Sequence, residues 1–256
     1  MIDLHCHILP GIDDGPPTME GSLELARAAV AAGIETTVAT PHVTWDHQHN
    51  TAASIGEGVQ ELNAALRAAD IPLTVLAGAE IAMTRVGDLS QDELEGLRLG
   101  DSPYLLVECP LAAVAAGFGP LLSSLRAAGH EVLLGHPERC PAFQRDPDAY
   151  VALAEQGMLG QITAGALVGR FGPPARELGL RLLREGHAQD VSTDAHSAVK
   201  RRPSMGAELD EAGFGEQATW LTHDVPRAIL DGAPLPAAPA MPAAPRGGLL
   251  GRLRRG

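Results

Sequence analysis

Aromatic residues make up only 3% of the 256-residue chain, so its core has to be assembled from Ala, Leu, Val and Ile. A hydrophobic content of 45% suffices for that. Cysteine is scarce too: Cys6, Cys109 and Cys140 form no C-x-x-C pair and no even set. That excludes a disulfide framework and fits free thiols in a reducing compartment. Positive charge is short as well. A net charge of −13 argues against non-specific binding of the main body to nucleic acid or to an anionic membrane. No apolar run is long enough to span a bilayer, and a strand-like stretch begins at residue 2 where a signal peptide would lie. The expected compartment is the cytoplasm.

What the chain does have is regular alternation. Strand-like runs fall at 2–8, 36–41, 73–80, 104–109, 131–136, 159–164 and 190–194. Helical periodicity occupies 19–32, 52–69, 118–128, 147–156 and 173–185 between them. Such alternation implies parallel βαβ units. At the ends of six of the seven strands stands a histidine or a carboxylate. In a βα barrel those ends converge on one mouth, whereas an open sheet spreads them along an edge. The expected fold is therefore α/β, a distorted (β/α)7 TIM-like barrel over residues 1–232. From 233 to 256 the composition changes to a mobile Pro/Ala-rich linker and a tail with four arginines. That tail reads first as a solubilising extension. The alternative is a basic amphipathic segment touching a membrane surface or a protein partner.

The strand ends carry the chemistry. His5 and His7 alternate along the first strand, so both face the same side at about 7 Å between Cα atoms and can share one metal ion. The plain alternative for an isolated H-x-H is a pair of core histidines. Further strand ends shift that balance: His42, Glu80, Glu108, His136, and Asp194 with His196 in a D-x-H. Asp13-Asp14-Gly15 lies one loop away from the first pair. A carboxylate closing an apolar run, as Glu80 and Glu108 do, is costly unless it is paired or metal-bound. Mixed N/O ligation without thiolate suits Mn, Zn or Fe, and so many donors imply two or three ions. Clustered divalent ions favour hydrolysis of a phosphate ester. His47 and His49 lie close enough to the mouth to touch substrate. His130 and His187, in helix-to-strand loops at the other end, read as surface residues.

His5-x-His7, Pro41-His42, Glu80, Gly135-His136-Pro137-Glu138-Arg139 and Thr193-Asp194-Ala195-His196 together resemble the motifs of the polymerase-and-histidinol-phosphatase (PHP) superfamily. More narrowly, the first 15 residues and the Gly-His-Pro-Glu-Arg segment are similar to the bacterial PHP-type tyrosine-protein phosphatases of capsule and exopolysaccharide operons. The resemblance runs from residue 1 to about 232. It implies up to three ions, usually manganese. His5, His7, Glu80 and Asp194 would hold the first, with Glu80 bridging to a second completed by Glu108 and His136. Asp14, His42 and His196 would hold the third. It also implies that Arg139 and an arginine after the D-x-H motif contact phosphate, with Arg202 preferred over Arg201 for the latter. The implied substrate is the phosphotyrosine-bearing tail of a tyrosine kinase that regulates polysaccharide export. No cysteine nucleophile is required, since the spacing Cys140…Arg145 is one residue too short for the phosphate loop of cysteine-dependent phosphatases. Two alternatives remain on the same residues: a phosphatase of histidinol phosphate or another small phosphoester, and a non-catalytic metal-binding interaction module. The alanine-rich helix 19–32 is compatible with packing against a second copy of the chain.

Overall fold

The structure, a computed structural model, describes residues 1–110 and 117–243. Its strands are β1 (Ile2–Cys6), β2 (Thr36–Ala39), β3 (His42–Val43), β4 (Thr74–Ala77), β5 (Glu80–Ala82), β6 (Tyr104–Glu108), β7 (Glu131–Gly135), β8 (Leu159–Thr163) and β9 (Asp190–Ser192). Every pairing among them is parallel, in the orders β1-β2-β4 and β3-β5-β6-β7-β8-β9. This is the α/β arrangement that the alternation predicts.

Two expected strands are interrupted. The run 36–41 breaks into β2 and β3 at Thr40-Pro41, and 73–80 breaks into β4 and β5 at Gly78-Ala79. Pro41 has no N–H for a ladder, but its carbonyl accepts from Glu80 N at 3.1 Å and starts the next pairing. Gly78 is fixed by crowding: a Cβ there would stand 2.7 Å from Val38 Cγ1. The short strands β3 and β5 carry His42 and Glu80 past the break, side by side in register. At the other side of the molecule, Cys6 pairs in parallel with Ala195 beyond the end of β9. His7 N donates to Ala195 O at 2.9 Å and Asp194 N to His5 O at 2.9 Å. The two H-x-H-like segments are thereby laid edge to edge.

The helices Met19–Ala31, Ala52–Ala68, Phe118–Ala127, Pro147–Glu155 and Pro173–Arg184 fall where the period predicts. Ala52–Ala68 shows why. Thr51 and Ser54 form a reciprocal capping box, and Ile55, Val59, Leu62 and Leu66 make one buried stripe at helical spacing. The core is mostly aliphatic, with Phe143, Tyr150 and Phe214 the largest fully buried side chains. His130 is buried and not a surface residue: it is covered by the short helix Gln91–Gly96, with Gln91 Nε2 2.8 Å from its Nε2 and Arg98 Nε donating to its Nδ1 at 3.2 Å. His187 is half-buried.

Contacts with the body of the chain continue past residue 232. Trp220 Nε1 donates to Pro236 O at 3.2 Å and Gln217 Nε2 to Ala240 O at 2.8 Å, while Leu235 and Met241 pack on the core. The start of the Pro/Ala-rich stretch thus lies against the rest of the chain. The remainder of the expected linker and the basic tail lie outside the described residues. None of the described helices is long and apolar enough to cross a membrane.

Candidate metal centre

His5, in β1, and His7, just past its end, project to the same side, with their Nε2 atoms 3.3 Å apart. Glu80, opening β5, reaches between them: its Oε2 lies 3.3 Å from each Nε2 and 3.0 Å from His42 Nδ1. Its Oε1 is 2.8 Å from Nε2 of His136, which follows β7. Asp194, following β9, brings Oδ1 to 3.5 Å from both His5 Nε2 and His7 Nε2, and to 3.6 Å from His196 Nδ1. Asp14 approaches from the loop after β1, with Oδ1 3.1 Å from His196 Nε2 and 3.5 Å from His42 Nε2. Glu108, closing β6, groups with His42 and Glu80.

All nine residues singled out as ligands in the sequence therefore meet. They form overlapping groups whose donor atoms lie within 4.8 Å of one another: His7, Asp14, His42 and His196; His5, His7 and Glu80; His5, His136 and Asp194; His42, Glu80 and Glu108. The donor set fits metal. Glu80 Oε2 and His136 Nδ1 are buried without a hydrogen-bond partner, a costly state that a cation would relieve. Ligands at the usual distances from a tetrahedral ion stand about 3.3–3.6 Å apart, which matches the spacing around Glu80 Oε2 and Asp194 Oδ1.

The electrostatics follow from crowding opposite charges out of water. Burial would raise the carboxyls of Glu80 and Asp194, but the histidines outweigh it: His5 and His136 hold both low, with Arg201 and Arg139 adding to the effect on Asp194. Burial also opposes charge on His7, yet its bond to Asp13 and the charge of Glu80 push it up to about 10. Glu108 is driven the other way, to about 7, first by burial and then by Glu80. A histidine or carboxyl can ligate a cation only without its proton, so metal affinity at this cluster is linked to pH. Two candidate ligands, His136 at φ 35° and Asp194 at φ 51°, occupy the left-handed region. Such backbone costs of order 1–3 kcal/mol each and persists where the surroundings over-determine it.

Of three arginines near the cluster, Arg139 and Arg201 face it and Arg202 does not. Arg139 donates through Nη1 to Asp194 Oδ2, and its guanidinium lies 4.5 Å over the Phe171 ring. Arg201 donates through Nη2 to the same oxygen and places Nη1 2.9 Å from His196 Nε2. Arg202, the preferred candidate from sequence, turns away, with its Nη2 4.0 Å from Glu208 Oε1. The loop makes the difference: His196 N and Ser197 N both donate to Arg201 O, which folds that residue, and not Arg202, back onto the cluster.

Sequence reasoning passed over two supporting residues. Asp13 accepts from His42 N at 3.1 Å and lies 2.8 Å from His7 Nδ1, fixing the ring that Asp14 only approaches. Gln161, in β8, brings Oε1 to 2.7 Å from His5 Nδ1. A second acid in Asp13-Asp14 was the available signal for the first; a neutral amide inside an apolar strand gives none. His47 sits beside the cluster, its ring 5.9 Å from that of His42, and His49 lies next to His47. The thiols take no part: all three are buried, and burial pushes Cys6 and Cys109 well above the usual thiol range.

A sequence profile for capsular polysaccharide synthesis, CpsB/CapC, matches residues 1–223. The chain belongs to the CpsB/CapC family. Among its relatives is the tyrosine-protein phosphatase YwqE of Bacillus subtilis, 39% identical over 203 residues that cover 78% of this chain and 79% of that protein. The putative tyrosine-protein phosphatase CapC of Staphylococcus aureus is 32% identical over 211 residues, 82% of each chain. Of solved structures, one from a study of YwqE from Bacillus subtilis and CpsB from Streptococcus pneumoniae, described as unique metal-dependent tyrosine phosphatases, superposes with a TM-score of 0.84. It has 35% sequence identity and covers 96% of this chain and 100% of its own. The matched span, residues 1–223, contains every residue of the donor cluster.

Proposed function

We propose that this chain is a metal-dependent protein-tyrosine phosphatase, a phosphoric monoester hydrolase acting on phosphotyrosine. Its substrate would be a bacterial tyrosine kinase that regulates polysaccharide synthesis or export. The observation that carries this reading is the meeting of nine N/O donors with Arg139 and Arg201 at one opening. The similarity to YwqE and CapC supports the substrate. The parallel bridge of Cys6 to Ala195 supports closure of the strands into a distorted (β/α)7 barrel. Three unpaired thiols support a cytoplasmic setting.

His5, His7, Glu80 and Asp194 would hold one ion, with Glu80 shared toward a second completed by Glu108 and His136. Asp14, His42 and His196 would hold a third. Mixed imidazole and carboxylate ligation suits manganese, with zinc or iron as alternatives. When bound, such ions polarise phosphoryl oxygens and supply a water of lowered pKa. The protein's own groups do the rest. Asp13 and Gln161 fix the rings of His7 and His5, so that their Nε2 atoms face the site. Arg139 and Arg201 bind equatorial phosphoryl oxygens and offset the charge that develops there. At present both guanidiniums lean on Asp194, which keeps them poised at the opening. The three cysteines are buried, which favours transfer directly to water over a thiol nucleophile.

Hydrolysis of a phosphotyrosine peptide and of histidinol phosphate, compared with manganese and then with chelator, tests this. Metal-dependent turnover that prefers the peptide is expected. A preference for histidinol phosphate would overturn the substrate, and no turnover of either with metal bound would leave a non-catalytic metal-binding module.

A further inference from the structure

Next to the candidate metal centre, and reaching it at Asp14 and His196, lies a groove of about 440 Å³. Asp14, His196 and Arg201 line it together with Pro16 and Pro17, and the loop that carries Val199 and Lys200 forms a lip. That size falls in the range of sites that hold drug-sized ligands, roughly 300–1,000 Å³. The lip is built, not incidental. Ser197 N donates to Arg201 O, while Ser197 Oγ accepts from Lys200 N at 3.1 Å and from Arg201 N at 3.3 Å. The turn is tied at both ends to site residues, and its tip is presented outward.

Two features of that tip have no role in the fold. Val199 is 81% exposed, the more exposed of the only two large apolar side chains that stand out among the described residues. Lys200, the one lysine in the chain, is exposed, and its ammonium makes no ion pair among the described residues, whereas its neighbours Arg201 and Arg202 face Asp194 and Glu208. Two prolines and an exposed valine lining the same groove supply apolar surface of the kind an aromatic ring packs on. Glu24, on the facing helix Met19–Ala31, repels an acidic group from that side and leaves Lys200 as its partner.

We propose that this groove is the peptide-recognition surface of the enzyme. It holds the phosphotyrosyl ring between Pro16–Pro17 and Val199 and selects, through Lys200, an acidic residue next to the phosphotyrosine. The inference rests on the phosphatase reading above and adds the sequence context it prefers. The chain carries −13 overall, so an acidic peptide is otherwise repelled, and a single cation at the lip decides the approach.

The test uses the manganese-loaded full chain and three phosphotyrosine peptides that differ only in the adjacent residue, Glu, Gln or Lys. Wild type is expected to show kcat/KM in the order Glu, Gln, Lys, with the preference shrinking at high salt. Lys200→Glu should shift the Glu-to-Lys ratio about tenfold toward the lysine peptide, whatever its absolute rate. Val199→Ser should lower the ratio of phosphotyrosine to phosphoserine peptide hydrolysis. An unchanged Glu-to-Lys ratio in Lys200→Glu overturns the groove and leaves the phosphatase intact. If wild type cleaves histidinol phosphate but none of the three peptides, the phosphatase reading falls and takes the groove's occupant with it.

Discussion

Gln161 Oε1 stands 2.7 Å from His5 Nδ1, both side chains fully out of water. The amide can only accept through that oxygen, so Nδ1 carries a proton and Nε2 is the ring atom turned toward Glu80 and Asp194. Behind it, Gln161 Nε2 donates to Asp190 Oδ2 at 2.9 Å, and Ser192 Oγ donates to the same oxygen. β8 thus supplies no ligand but orients one supplied by β1.

Gln161→Ala should weaken metal binding by about 10–100-fold, the usual cost of losing an outer-shell partner. Titration of metal-free protein with manganese, read by calorimetry, checks it. Unchanged affinity would mean that packing alone aims the ring.

His136→Ala removes a group that contacts Glu80 directly and occupies strained backbone. Phosphotyrosine turnover should fall to the chelated baseline, because Glu80 Oε1 then loses its buried partner and the second candidate site its histidine. Substantial residual turnover would exclude His136 from the centre.

Arg201→Ala and Arg202→Ala should separate cleanly. Loss of a guanidinium aimed at developing charge costs about 10²–10³ in kcat, so Arg201→Ala should fall in that range. Arg202, exposed and turned toward Glu208, should change kcat less than about threefold, as surface substitutions usually do. Equal losses in both variants would contradict the assignment.

The clustering of these donors could be read from sequence because charged or imidazole groups at the ends of apolar strands need a reason to be there. Glu80 and Glu108 announce themselves in that way. Arg201 and Arg202 do not: they are neighbours on a loop, where no periodicity says which one turns inward. The break at Pro41 and Gly78 depends on how two strands crowd each other, and so on tertiary contact. His130 looked exposed because it sits in a turn, and the six-residue helix that covers it is too short to leave a periodic signal.

Asp190 gives a pH dependence that is separate from turnover. Burial pushes its carboxyl from 3.8 to about 7 even though Ser192 and Gln161 hydrogen-bond it. Between those values the folded chain keeps a proton that the unfolded chain has released. Stability of the metal-free protein therefore falls as pH rises through the window from about 4 to about 7, then levels off for this group. About three pH units correspond to roughly 4 kcal/mol. Asp3, raised to about 6 by burial, contributes in the same direction. Asp14 and Asp194, held below their usual range, act only at lower pH, and His7, raised to about 10, only above its ordinary value of 6.5. Asp190→Asn keeps an acceptor for Gln161 and Ser192 but cannot ionise. The difference in unfolding free energy between variant and wild type, from urea melts across that window, should grow in the variant's favour as pH rises. A difference that stays constant would mean that Asp190 ionises in the folded protein as easily as in water, and that the Gln161 network rests on a carboxylate.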